Sequence, residues 1–305
     1  MKIDKNWFTE TNDELGIAFS LKIKQKLFDE QSPYQRIEVY ETETFGNLMV
    51  IDGYVMLTDR DNFIYHEMMS HPVLFTHDQP ERVAIIGGGD CGTLREVLKH
   101  KEVKQVWQID IDELVTRASP KYFPKLCGSN NDPRAAILFG DGIEWIKNAE
   151  PDSLDIIIVD STDPIGPAAG LFTEAFFRDC YKALRTGGIL IQQSESPLLH
   201  MESIIKPMHD AMRAAGYSDT ASLHFFQCSY PSGWWTATMA CKKVACKEVT
   251  NKEVAHKDSK IWGFRESDAD NRCFQTLYYN TATHKAAFAK PEFFRKQLAH
   301  FHSDG

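Results

Sequence analysis

Carboxylates cluster behind the apolar runs of this sequence. The run 83–86 leads into Gly87-Gly88-Gly89-Asp90-Cys91-Gly92, 106–109 ends at Asp110, 136–139 meets Gly140-Asp141-Gly142, and 156–159 delivers Asp160-Ser161-Thr162-Asp163-Pro164-Ile165-Gly166-Pro167. Glycines behind a buried strand let backbone approach a ligand closely, and an acidic side chain about twenty residues on can accept hydrogen bonds from ribose hydroxyls. Asp110 stands there, so the pair predicts a nucleoside ligand; the glycines alone would mean only a tight turn. Asp90 sits where a nucleoside carrying the methionine carboxylate would be repelled, and suits a cation instead, its other possible role being a helix N-cap. Asp141 is placed to accept an adenine amino group or simply to make a turn. Asp160 and Asp163, three positions apart behind a buried strand, each need a partner or a bound cation, unless Asp163 caps a helix.

Two aromatic strings accompany these acids, Tyr65-His66-Glu67 and Tyr230-Pro231-Ser232-Gly233-Trp234-Trp235. Tyrosine and tryptophan near carboxylates form a wall that accepts a cationic amine, although Trp234 and Trp235 serve equally well as core. Metal-ligand spacing is absent, as is a Ser-His-Asp elbow, so no metal is expected.

The elements that must carry these residues change texture near Pro80. Before it, β-type stretches at 20–28, 35–41, 47–51 and 54–58, with Asp52-Gly53 as a hairpin turn, predict a small antiparallel sheet. After it, continuous apolar runs at 83–86, 106–109, 136–139, 156–159 and 189–191 predict strands buried on both faces, with helices at 94–99, 113–118, 173–184 and 201–215 between them. The fold class is therefore α/β, a doubly wound sheet behind a small N-terminal antiparallel β domain, divided as 1–75 and 76–305. Residues 242–271 read as a charged excursion over the surface.

Length and composition agree with this plan. The 305 residues are 43% hydrophobic, enough for a sizeable core, and carry a net charge of −9, which disfavours nucleic-acid and anionic-membrane partners. Seven scattered cysteines without a CxxC pair point to a reducing cytoplasm, and no run suits a signal peptide or a membrane span.

The strings Ile86-Gly87-Gly88-Gly89-Asp90, Asp160 to Pro167, Tyr230-Pro231-Ser232-Gly233 and Tyr278-Tyr279-Asn280 with His284-Lys285-Ala286-Ala287-Phe288 resemble the polyamine aminopropyltransferases, over residues 7–298. The resemblance implies a Rossmann-like catalytic domain of the class I methyltransferase type, a homodimer or homotetramer, and a reaction between decarboxylated S-adenosylmethionine and putrescine giving spermidine and methylthioadenosine. It implies that Gln35, Gly87, Asp110, Asp141, Gly142 and Pro167 hold the nucleoside. Asp90 would take the aminopropyl ammonium, Tyr65, His66, Ser161, Thr162, Asp163 and Tyr230 the amine, and Asp160 its proton. Three residues depart from the family pattern: Met56 where most members carry Gln, Asp110 where Glu is usual, and Cys91 in place of a loop glycine. The segment 242–271 is also longer than is typical. Met56 leaves the choice of amine open among putrescine, cadaverine, agmatine and spermidine. The competing readings are an S-adenosylmethionine-dependent methyltransferase of small molecules and a non-catalytic polyamine-binding protein.

Overall fold

The computed structural model describes residues 3–242 and 263–299. Strands β1 (Trp7–Asn12), β2 (Ile17–Gln31), β3 (Arg36–Thr42), β4 (Asn47–Ile51) and β5 (Tyr54–Thr58) pair antiparallel in chain order. Asp52 and Gly53 have φ of 50° and 89°, the two-residue turn whose twist matches the strands it joins. The apolar pattern alone does not mark β1, because Thr9, Glu10, Thr11 and Asn12 dilute its signal; the register from Trp7 opposite Lys22 to Asn12 opposite Ile17 makes it a strand.

The second sheet holds β6 (Arg82–Gly87), β7 (Gln105–Asp110), β8 (Ala135–Phe139), β9 (Leu154–Asp160), β10 (Leu184–Gln193), β11 (Asp219–Phe226) and β12 (Trp234–Cys241). Its order is β11-β12-β10-β9-β6-β7-β8, parallel from β8 to β10 with β12 antiparallel to both neighbours, the doubly wound sheet expected from the apolar runs and of the Rossmann-like type that the resemblance implies. Alternate residues of the central strands feed two cores: Val83, Ile85, Ile156 and Ile158 face one, Ala84, Ile86, Ile157 and Val159 the other. Burial on both faces is why these runs are continuously apolar. β8 is the exception, an edge strand whose Leu138 and Phe139 remain 38% and 46% exposed.

Helix α1 (Asn62–Thr76) is buried along almost its whole length and lies in the core of the larger sheet, although it precedes the texture change at Pro80. The chain therefore packs against the larger sheet from α1 onward, before that sheet's first strand begins at Arg82. Helices α2 (Gly92–Leu98), α3 (Glu113–Tyr122), α4 (Gly142–Lys147) and α5 (Glu174–Ala183) follow β6, β7, β8 and β9 in turn. The helix expected over 201–215 opens instead as a π-turn, Met201–Ile205, and continues as α6 (Lys206–Ala214). Residues 243–262 of the charged excursion lie outside the described residues, and α7 (Glu266–Asp270), α8 (Thr281–Ala287) and α9 (Glu292–Ala299) close the chain.

Glu67 on α1 fastens this last segment, accepting the backbone N–H groups of Leu277, Tyr278 and Tyr279 at 2.8, 2.9 and 2.7 Å while itself buried. Glu67→Ala leaves these donors without their acceptor, at about 1–3 kcal/mol for each one left buried and unpaired. Urea unfolding of the variant is expected to show a loss of roughly 3–5 kcal/mol; a midpoint equal to the parent's would show that the C-terminal segment does not depend on Glu67.

Candidate active site

Strand order reverses between β6 and β9, and a crevice opens at their carboxyl ends, as it does in open parallel sheets. Gly87 pairs with Asp160 across that point. Its φ is +87°, and a Cβ there would lie 2.1 Å from the Asp160 carbonyl oxygen, so a glycine is required. Gly89 is crowded by side chains instead, since a Cβ would lie 2.8 Å from Asp110 Oδ2. The glycine loop thus brings backbone against the carboxylates that end β7 and β9.

One pocket is lined by Gln35, Tyr65, His66, Gly87, Asp90, Asp110, Asp141, Gly142, Asp160, Ser161, Thr162, Pro167 and Tyr230 together, residues far apart in sequence. Gln35 reaches it from the small sheet, on a turn tied to the large one by Ser32 Oγ donating to Asp112 Oδ2 at 2.6 Å. Asp112 also caps α3 by accepting from Leu114 N. Asp110 accepts from Asp112 N at 2.8 Å, and burial pushes its pKa up to about 6. Asp141 lines the pocket and caps α4 through Oδ1, which accepts from Ile143 N.

The two central acids have opposite electrostatics. Asp160 accepts hydrogen bonds from Tyr65 Oη at 2.7 Å and Thr93 Oγ1 at 2.6 Å, but burial, and then the charge of Asp90, hold its pKa above the usual carboxylate value. Burial works to raise Asp90 too, yet His66 outweighs it at 3.2 Å, and the acid stays low while the imidazole is raised. Asp90 Oδ1 also accepts from Gly92 N at 2.6 Å, so it steadies the start of α2, although Cys91 occupies the N-cap position. Tyr65 and Tyr230 meet edge to face with centroids 6.0 Å apart, and Trp235 packs on Tyr230 at 4.6 Å, so Trp235 is part of the core that backs this wall.

Asp163 does not line this pocket. It lines an adjoining one that shares Met56, Tyr65, Ser161, Thr162 and Tyr230, and it caps no helix, since Ile165 precedes the 3-10 turn at 166–172. Two acids that the sequence pattern does not single out, Glu10 and Glu195, line that second pocket with His200. Burial raises Glu10 to about 7, and raises Glu195 well above its ordinary value with help from the charge of Asp163. Glu195 is buried with φ of +66°, a conformation few side chains adopt. Its position does carry a signal: it lies two residues beyond β10, at the same carboxyl rim as Asp90 and Asp160. Glu10 has none, being one polar residue in an alternating edge strand.

The geometry is therefore a cleft at the strand switch point joined to an acidic, aromatic-walled chamber. A family model described as the spermine/spermidine synthase domain matches residues 62–253, and one described as the spermidine synthase tetramerisation domain matches residues 6–59. Among curated relatives, the polyamine aminopropyltransferase of Thioalkalivibrio sulfidiphilus is 63% identical over 98% of this chain and 99% of its own. That of Methylococcus capsulatus is 58% identical over 96% and 97%. Of solved structures, a spermidine synthase in complex with the transition-state analogue AdoDATO superposes with a TM-score of 0.88 at 33% identity, covering 98% of this chain and 97% of the other. The spermidine synthase of Thermotoga maritima gives 0.86 at 34% identity over 96% and 94%.

Proposed function

The chain belongs to the spermine/spermidine synthase family and is a polyamine aminopropyltransferase, and we propose that it transfers the aminopropyl group of decarboxylated S-adenosylmethionine to putrescine, with Asp160 as proton acceptor. The observation that carries this reading is the unlike pair Asp90 and Asp160 at one strand switch point, one held ionised by His66 and the other raised by burial.

A neutral amine attacks the carbon beside the sulfonium, its C–N bond forms as the C–S bond breaks, and methylthioadenosine leaves with the sulfur electron pair. An alkyl ammonium holds its proton until pH ~10, by the lysine reference value, so the attacking nitrogen needs a base. A carboxylate with a raised pKa is a better proton acceptor than an ordinary one, and Asp160 fits that need. Asp90, which lines the same pocket beside His66, would take the aminopropyl ammonium. Gln35, Asp110, Asp141, Gly142 and Pro167 would hold the nucleoside, at the end of the pocket reached by the small sheet. Tyr65, Tyr230 and Asp163 would receive the diamine, whose far ammonium faces Glu10 and Glu195 in the second pocket. Alignment of the two reactants supplies much of the acceleration.

Met56 lines both pockets where they join, and its carbonyl oxygen accepts from Tyr230 Oη at 2.6 Å. Its thioether makes the wall apolar at the middle of a diamine, where methylenes lie. Release of methylthioadenosine with putrescine, cadaverine, agmatine and spermidine in parallel is expected to give the highest kcat/KM with putrescine. A strong preference for another amine overturns the choice of putrescine, and no release with any of them overturns the transfer itself.

A further inference from the structure

Cys91 and Cys127 come together at the glycine loop, although 36 positions separate them in sequence. The side chain of each lies against the backbone of that loop. Cys127 Sγ also donates to the Asp90 carbonyl oxygen at 3.7 Å, and Cys91 Sγ to that of Gly89 at 3.5 Å, while Gln108 Nε2 donates to Cys91 Sγ at 3.8 Å. Cys91 is fully buried; Cys127, on the 3-10 turn Cys127–Ser129, is half-buried. The dithiol thus grips the loop that presents Asp90, yet neither sulfur lines either pocket. Cys91 holds its place with φ of +70°, where glycine would be unstrained. Nothing in the transfer reaction uses these thiols.

We infer that Cys91 and Cys127 form an oxidative modification site, a disulfide made reversibly by hydroperoxides, that displaces Asp90 and lowers aminopropyl transfer. Cys127 is the first to react, being the more exposed sulfur and the one whose pKa is lowered by the neighbouring Cys91 side chain. Its thiolate attacks the distal peroxide oxygen, the O–O bond breaks, and Cys127 becomes a sulfenic acid as the alcohol or water leaves. Cys91 sulfur then attacks the Cys127 sulfur and expels hydroxide, which departs as water with the Cys91 proton. Two electrons pass from the sulfurs to the peroxide, and a dithiol reductant returns them. A disulfide closes its sulfurs to about 2.05 Å, so Cys91 and the Asp90 it adjoins have to move.

The test is hydrogen peroxide treatment of the whole protein, followed by peptide mapping without reduction and by activity before and after dithiothreitol. The expected result is one cross-linked species joining the Cys91 and Cys127 peptides, lighter by two hydrogens, with activity reduced about 10²-fold, as for a ~1 Å misplacement, and restored by the reductant. Cys127→Ser should keep its own activity through the same treatment. Cys91→Gly, which relieves the positive φ, serves as a second variant and should be equally insensitive. Oxidation confined to the exposed Cys228 and Cys273, a cross-link that leaves activity unchanged, or equal loss of activity in both variants each overturns the proposal.

Discussion

Replacing Asp160 with Asn is expected to lower turnover by about 10²–10⁴, the span lost with a general base. The variant keeps an oxygen for one of the hydroxyls of Tyr65 and Thr93, which bond opposite oxygens of the carboxylate, and either hydroxyl can turn to accept from the new amide. Packing is therefore preserved while proton acceptance is lost. Stability should move the other way. A carboxyl whose folded pKa lies above its unfolded one costs the fold stability as pH rises past the unfolded value, because the unfolded chain gives up its proton first. At pH 7 the variant should consequently melt no lower than the parent. The parent's kcat/KM should rise with pH along an acid limb above the usual carboxylate range, and that limb should vanish in the variant. A folded variant with unchanged turnover would remove Asp160 from its role.

Replacing Asp90 with Asn should act on binding and on co-substrate choice. A close charge pair that loses one partner costs about 2–5 kcal/mol, so the KM for decarboxylated S-adenosylmethionine should rise on the order of 10²-fold or more. The parent should reject S-adenosylmethionine, whose carboxylate meets Asp90 head on; the variant should bind the two forms with similar affinity. His66 loses its counter-charge in the variant and should titrate at a lower pH, since burial then acts on it with less opposition. Calorimetric titration of both ligands into both proteins reads the effect directly. Equal tightness for the decarboxylated form in parent and variant would mean that Asp90 does not hold the ammonium, and a parent preferring the carboxylated form would favour methyl transfer.

These two acids are legible in the sequence because of where β6 and β9 end. A parallel strand buried on both faces is written as an unbroken apolar run, and the residue after it falls at the carboxyl rim where ligands bind. Gly87, Asp90, Asp110 and Asp160 are all read this way, as is the strand-to-helix rhythm around them. Elements without such a run escape notice. β1 has four polar residues of six, α4 is six residues long, and β11 carries Asp219, Thr220, Ser222 and His224 among its apolar residues.

By itself, then, the sequence determined the α/β class, the rim and the acids upon it, because periodicity and turn chemistry are local properties of the chain. It could not determine what those acids would be worth. Asp90 and Asp160 are both carboxylates behind glycine or apolar strings, and only the folded chain sets His66 of α1 at 3.2 Å from one and the hydroxyls of Tyr65 and Thr93 on the other. Tertiary structure alone likewise gathered Glu10 and Glu195 into a second chamber, carried Gln35 across from the small sheet, and set Cys127 against Cys91. The physical reason is the same in each case: a pKa, a pocket wall or a thiol pair depends on the few ångströms between side chains distant in sequence, and packing sets those ångströms.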